Sequence, residues 1–200
     1  MKPWLWLGIG LALGAGPAWA QTDAEHERAL KIIGGSCFLC HGQDGESASG
    51  VFPRLAGQNA DYIAKQLENF KNGTRQSTAM SNVVDKLTPD DMQALGTFYA
   101  SRPAYKQDSS NPLLAGAGRY IYEAGNPYSG VPACSACHGV TGEGATALPR
   151  LAGQFASYLE SQLKQFNRRE RTSDNEVMHV VAEKMTELEM AAVAEYLSGQ

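Results

Sequence analysis

The pentapeptide Cys37-Phe38-Leu39-Cys40-His41 recurs as Cys134-Ser135-Ala136-Cys137-His138, 97 positions further on. No other feature constrains the fold of this chain as strongly. Two thiols three positions apart can each bond one vinyl group of the same porphyrin, and the adjacent histidine then meets the iron from one face. The motif in duplicate implies two covalently bound haem c groups. Cys37, Cys40, Cys134 and Cys137 would be the attachment points, with His41 and His138 as iron ligands. The chain has four cysteines, so none is left over. Zinc sites and redox pairs also use C-x-x-C, but neither explains a histidine in both copies. A disulfide reading suits an oxidising compartment, yet two intervening residues make a poor scaffold and leave the histidines unexplained.

The repeat extends well beyond the pentapeptide, as expected for a duplicated unit. Pro53-Arg54-Leu55-Ala56-Gly57-Gln58 matches Pro149-Arg150-Leu151-Ala152-Gly153-Gln154 at an offset of 96. Tyr62, Gln66, Leu67, Phe70 and Arg75 match Tyr158, Gln162, Leu163, Phe166 and Arg171 at the same offset. Met80-Ser81-Asn82-Val83-Val84 matches Met178-His179-Val180-Val181-Ala182 two positions out of that register. Each half reads as helical. Ile63, Leu67 and Phe70 lie at i, i+4, i+7, as do Leu159, Leu163 and Phe166. Thr88-Pro89-Asp90-Asp91 and Thr186-Glu187-Leu188-Glu189 read as helix starts, and Gly73 as a helix stop. No segment alternates with period two for long, so strands are expected to be nearly absent. The expected fold class is all-α, in two tandem domains, 21–101 and 113–200. Residues 102–112, with two prolines and a polar middle, read as a linker.

Residues 1–20 read as a secretory signal peptide. Lys2 precedes a short apolar run, and Ala18-Trp19-Ala20 is a small-x-small cleavage site. The run is shorter than the ~20 apolar residues of a membrane-spanning helix. The mature chain is therefore expected in the periplasm, soluble or peripherally membrane-associated, and as a monomer. Removing the signal takes Lys2 and no acid, leaving 16 basic against 21 acidic residues. Neither half is basic, which removes the electrostatic footprint of nucleic-acid binding.

The sixth iron ligand decides between electron transfer and catalysis. Met92 and Met190 match each other but sit at helical spacing on apolar faces, where methionine is usually core. Met185 has Leu87 as its counterpart and so occurs in one half only. Met80 and Met178 lie in loop-like segments, 39 and 40 residues beyond their histidines. A thioether is a recognised axial partner in c-type haems, and these two are the expected ligands. His179 could compete with Met178, but the methionine register favours Met178 and His179 reads as a solvent or edge residue. His26 reads as exposed. Arg54, Gln58, Arg150 and Gln154 read either as an ordinary polar loop or as residues shaping haem propionates and the contact between halves. Arg168, Arg169 and Arg171, interrupted by Glu170, read as a solvated face.

With these motifs the chain resembles the cytochrome c4 family, dihaem proteins built from two fused class I cytochrome c domains. The resemblance rests on the paired C-x-x-C-H-G units, the paired P-R-L-A-G-Q loops, the Tyr-x3-Gln-Leu-x2-Phe helices and the two methionine segments. It implies two domains related by a pseudo-twofold axis with propionate edges at their interface. It also implies that the carbonyls of Pro53 and Pro149 orient His41 and His138. The function it implies is a periplasmic electron carrier between a quinol-oxidising complex and a terminal oxidase, without enzymatic activity of its own. One alternative is the cytochrome subunit of a flavocytochrome such as sulfide dehydrogenase. Another is a dihaem enzyme, a peroxidase or a thiosulfate dehydrogenase, which would need an open iron position. Two departures stand out. Asn126–Pro132 has no full counterpart in the first half. The first N-terminal helix also lacks the small-plus-aromatic pair Gly118 and Tyr122 of the second.

Overall fold

A computed structural model of the chain describes residues 22–173 and 175–200. The expected signal peptide lies outside the described residues. Among them the fold is helical, and β structure is confined to two isolated bridges, Asn126–Val131 and Ala145–Leu148. The helices are α1 (Asp23–Ile32), α2 (Phe38–His41), α3 (Ala60–Lys71), α4 (Thr78–Val84), α5 (Pro89–Ala100), α6 (Pro112–Ala124), α7 (Ser135–His138), α8 (Ala156–Asn167), α9 (Val177–Ala182) and α10 (Glu187–Ser198).

The long helices start where the sequence supplies oxygen acceptors for the first free amides. Thr22, Thr88 and Thr186 cap α1, α5 and α10 in reciprocal boxes with Glu25, Asp91 and Glu189. A cap of this kind stabilises a helix by roughly 1 kcal/mol. Asn111 caps α6, with Pro112 in its first turn. Helix α3 stops at Lys71, where Gly73 adopts φ of 80°.

The helices form two lobes, each with its own core. In the first, Ala29, Ile33, Ile63, Leu67, Val84, Leu87, Met92, Leu95, Phe98 and Tyr99 are buried together. In the second, Tyr122, Leu159, Phe166, Ala182, Met185, Met190, Val193 and Leu197 play the same part. Met92 and Met190 are core residues, as their spacing implies.

The lobes differ in which helices press closest. In the second lobe α6 crosses α10 so tightly that a Cβ on Gly118 would collide with the backbone carbonyl of Ala192. In the first lobe the close crossing is between α5 and α3, where Gly96 meets the carbonyl of Ala60. The residues matching Gly118 and Tyr122 are Ala29 and Ile33, both fully buried. The aromatic missing from α1 is thus replaced by isoleucine, and the glycine contact moves to another helix pair. The route into the haem motif differs too. A π-helical turn, Ile33–Cys37, carries α1 directly into α2. In the second lobe α6 ends at Ala124, Gly125 turns with φ of 73°, and Asn126–Pro132 forms a loop closed by the Asn126–Val131 bridge.

The segment between α5 and α6 is fastened by Glu195 of α10. Its carboxylate accepts from the hydroxyls of Ser109 and Ser110 at 2.8 Å each and from the amide of Asn111 at 2.7 Å. Burial pushes this carboxyl up, but the donors Ser110, Asn111 and Ser109 outweigh it, and its pKa lies below the usual glutamate range.

Three expectations follow from this packing. Gly118→Ala should destabilise the protein by about 1–3 kcal/mol through overpacking in urea unfolding. Gly116→Ala, where a Cβ meets nothing within 4 Å, should be neutral or stabilising by up to ~1 kcal/mol. Because the folded pKa of Glu195 is depressed, its contribution is complete above the unfolded value of about 4.3. It is lost as pH falls through the lower folded value. The stability difference between wild type and Glu195→Gln should therefore be constant above about pH 5 and shrink at lower pH.

Candidate haem sites and the seam between the lobes

His41 and His138 end α2 and α7, and each is 7 % exposed. The Nδ1 of His41 lies 2.9 Å from the carbonyl oxygen of Pro53, and that of His138 lies 3.4 Å from the carbonyl of Pro149. A carbonyl can only accept, so Nδ1 carries the proton and Nε2 keeps its lone pair. This is the tautomer a metal-ligating histidine needs, fixed by an outer-shell partner. Burial lowers both imidazole pKa values, while the proline contact works the other way. The neutral, coordinating form is thereby favoured. The longer contact at His138 is the weaker hydrogen bond.

The cysteines stand in the turns just before these histidines, and none of the four is in a disulfide. Burial pushes the Cys37 thiol up and the Cys134 thiol up to about 11. No group of three or more His, Cys, Asp or Glu side chains among the described residues could hold a metal ion. A structural zinc site, which takes four such ligands, is not assembled among the described residues. The donor set fits haem instead, with one free imidazole nitrogen and two thiols per lobe.

Met80 and Met178 lie in the short helices α4 and α9, not in loops. Both are half-buried and pack against the core of their own lobe. Ser77 caps α4, its hydroxyl accepting from the amide of Met80 at 3.3 Å.

The two P-R-L-A-G-Q loops are built alike. In the first, the amides of Leu55 and Ala56 donate to Gly45 and that of Gly57 to Tyr99. In the second, Leu151 and Ala152 donate to Gly142 and Gly153 to Leu197. Each loop then clasps the other. The Gln154 side chain accepts from the Arg54 amide and donates to the Arg54 carbonyl, both at 2.9 Å. Gln58 does the same for Arg150, at 2.7 and 2.9 Å. Arg54 and Gln58, like Arg150 and Gln154, thus shape the contact between lobes rather than an ordinary polar loop.

A second reciprocal layer lies further along α3 and α8. Arg75 donates to Gln66 of its own lobe and to Tyr158 and Gln162 of the other, each at 2.9 Å. Arg171 donates to Gln162 at 2.7 Å and across to Tyr62 at 2.9 Å and Gln66 at 3.1 Å. Arg171 is 6 % exposed and so belongs to the seam, not to a solvated face. The role of this layer escapes a reading of the sequence one lobe at a time. The available signal was the exact duplication of polar residues on helices whose apolar faces already account for the core.

Two further histidine expectations are corrected. His179 is 8 % exposed, not a solvent or edge residue. Its Nδ1 donates to the Phe166 carbonyl at 2.9 Å, and Arg169 donates to its Nε2 at 3.0 Å. His26 is half-buried beside the Phe98 ring, with centroids 5.5 Å apart.

Comparison with known proteins agrees with this geometry. The cytochrome c family model matches residues 115–200. Cytochrome c4 of Azotobacter vinelandii is 36 % identical, over 94 % of this chain and 95 % of that protein. A "Thiosulfate dehydrogenase electron acceptor" of Thiomonas intermedia is 35 % identical, over 96 % of this chain and 88 % of that protein. The crystal structure of reduced recombinant cytochrome c4 from Pseudomonas stutzeri superposes with a TM-score of 0.81 at 30 % identity. It covers 90 % of this chain and 98 % of that one.

Removing one glutamine of the seam should loosen the lobes. Gln154→Ala strips the Arg54 amide and carbonyl of their partners, and leaving a buried polar group unsatisfied costs about 1–3 kcal/mol. Gln58→Ala should cost less, since its contacts are only partly buried. Denaturant unfolding of both variants measures the difference.

Proposed function

The chain belongs to the cytochrome c4 family, and from that premise we propose that it carries electrons in the periplasm from a quinol-oxidising complex to a terminal oxidase. As a member of that family it is a dihaem c-type cytochrome, an electron carrier with two covalently bound haem c groups. When bound, each haem supplies a one-electron Fe(III)/Fe(II) couple. The rest is the work of the chain. Cys37 and Cys40 would tether one haem, and Cys134 and Cys137 the other. His41 and Met80 would supply the axial pair of the first iron, and His138 and Met178 that of the second. The proposed domains are 21–101 and 113–200, with 102–112 as the linker and residues 1–20 as the export signal. Two separate cores support that division.

The observation that carries this reading is the buried, singly committed histidine, present twice. Its Nδ1 is taken by a proline carbonyl, which leaves Nε2 for iron. A matched methionine packs against the core of each lobe. Were His41 with Met80 and His138 with Met178 to hold the two irons, no position would be open for substrate, which favours a carrier over an enzyme. A soft thioether also favours Fe(II) and raises the potential.

The similarity to the Thiomonas intermedia protein supports a second reading of the donor. In it the same dihaem carrier takes its electrons from a sulfur-compound-oxidising enzyme. Reduction of the oxidised protein by quinol with a quinol-oxidising complex, compared with reduction by thiosulfate and its dehydrogenase, separates the two.

The axial assignment is tested by spectroscopic redox titration. Changes of axial ligand tune haem potentials over about 0.8 V. Met80→Ala and Met178→Ala should each lower the potential of one haem and open it to cyanide. The wild type should show no rapid carbon monoxide binding at neutral pH. Titrations of both variants that overlay the wild type would refute the assignment.

A further inference from the structure

Helix α9 carries Met178 and has little of its own to hold it. It is six residues long, well short of the ~12–15 that an isolated helix needs to persist in water. It is entered through Asn175 and Glu176, at φ of 52° and 67°, a region that residues other than glycine seldom adopt. No side chain caps its first turn. Helix α4, which carries Met80, is built differently. The Ser77 hydroxyl accepts from the Met80 amide, and Ser81 donates to the Ser77 carbonyl at 2.7 Å. The first lobe thus fastens its methionine segment locally.

In the second lobe His179 takes the place of Ser81 and fastens α9 from outside. Its Nδ1 donates to the carbonyl of Phe166, in the last turn of α8, at 2.9 Å. A carbonyl only accepts, so this bond holds whatever Nε2 carries. Nε2 accepts from Arg169 at 3.0 Å, and the Glu183 carboxylate stands 3.2 Å from it. Both ring nitrogens are thereby committed to the fold. Asn167, next to Phe166, donates to the Ala182 carbonyl at 3.0 Å and ties down the far end of α9. Lys71, the counterpart of Asn167, instead donates to Leu87, past the end of α4.

We propose that His179 is the positioning residue of the second haem site: its bond to Phe166, backed by that of Asn167 to Ala182, holds α9 so that Met178 stays on the iron. This rests on the reading that Met178 is the axial ligand. A ligand held in place beforehand loses less freedom when it binds. Losing the bond weakens the hold of sulfur on iron in the second lobe alone, and any outside ligand that competes for that position gains by as much.

The test uses the full-length, haem-loaded, oxidised protein as wild type, His179→Asn and His179→Gln. The asparagine amide stands where Nδ1 does and keeps a donor for Phe166. The glutamine amide reaches toward the place of Nε2 and gives that bond up. Titration with cyanide reads how firmly each sulfur is held. In His179→Gln one haem should bind cyanide about fivefold more tightly, the factor equal to one hydrogen bond of ordinary strength, and its methionine–iron charge-transfer band should weaken. The other haem should not change, and His179→Asn should lie near wild type. Equal cyanide affinities in wild type and His179→Gln would overturn the proposal. So would His179→Asn weakened as far as His179→Gln, or a change shared by both haems. Gly118→Ala strains the same lobe at α10 rather than α9 and should leave cyanide binding alone. An equal rise in that variant would mean that lobe stability is being read, and would also overturn the proposal. If glutamine at 179 prevents folding, Asn167→Ala carries the test, with tighter cyanide binding at one haem as support and unchanged binding as refutation. A Met178→Ala sample that keeps the full charge-transfer band would instead overturn the axial reading, and the proposal with it.

Discussion

The contact between a buried histidine and a proline carbonyl, made once in each lobe, is the constraint from which the rest of this structure follows. It fixes the tautomer and plane of the ring and so presents one nitrogen to a metal. It also fixes the position of the hexapeptide that begins with that proline. The next amides are spent on Gly45 or Gly142 and on the end of the last helix. The glutamine that closes each hexapeptide reaches the arginine backbone of the other. One short loop therefore orients a histidine, ties it to the lobe core and joins the lobes. Displacement of either loop would be felt at both sites.

Duplication has left the two lobes alike at the loops and unlike in their helices. The tightest helix crossing uses Gly118 against α10 in one lobe and Gly96 against α3 in the other. The approach to the haem motif is a π-helical turn in one and a closed loop in the other. The His–Pro contact is 2.9 Å in one and 3.4 Å in the other. These differences surround two chemically identical sets of proposed ligands. They give the polypeptide a means of making the two irons unequal without changing a ligand.

Much of this was legible in the sequence because it is local. The C-x-x-C-H units, the capping threonines at 88 and 186, Gly73 and the core methionines Met92 and Met190 all act through neighbours a few residues away. The contacts that needed coordinates join residues about a hundred positions apart. Arg171 looked like one of several solvated arginines because its partners, Tyr62 and Gln66, belong to the other lobe. His179 looked like a surface residue because the carbonyl that buries it belongs to Phe166 of α8. Met80 and Met178 looked like loop residues because α4 and α9 are too short for periodicity to reveal, whereas the start of α4 is set by a serine cap and by tertiary contact.

The central claim is that each iron is held between a histidine nitrogen on one side and a methionine sulfur on the other, twice in one chain. Proton NMR of the fully reduced, haem-loaded protein tests it most directly, because a methyl group lying over a porphyrin face is shifted far upfield by the ring current. Two such three-proton signals are expected, one assigned to Met80 and one to Met178. A spectrum with one such signal or none, from protein shown to carry two haems, would contradict the account.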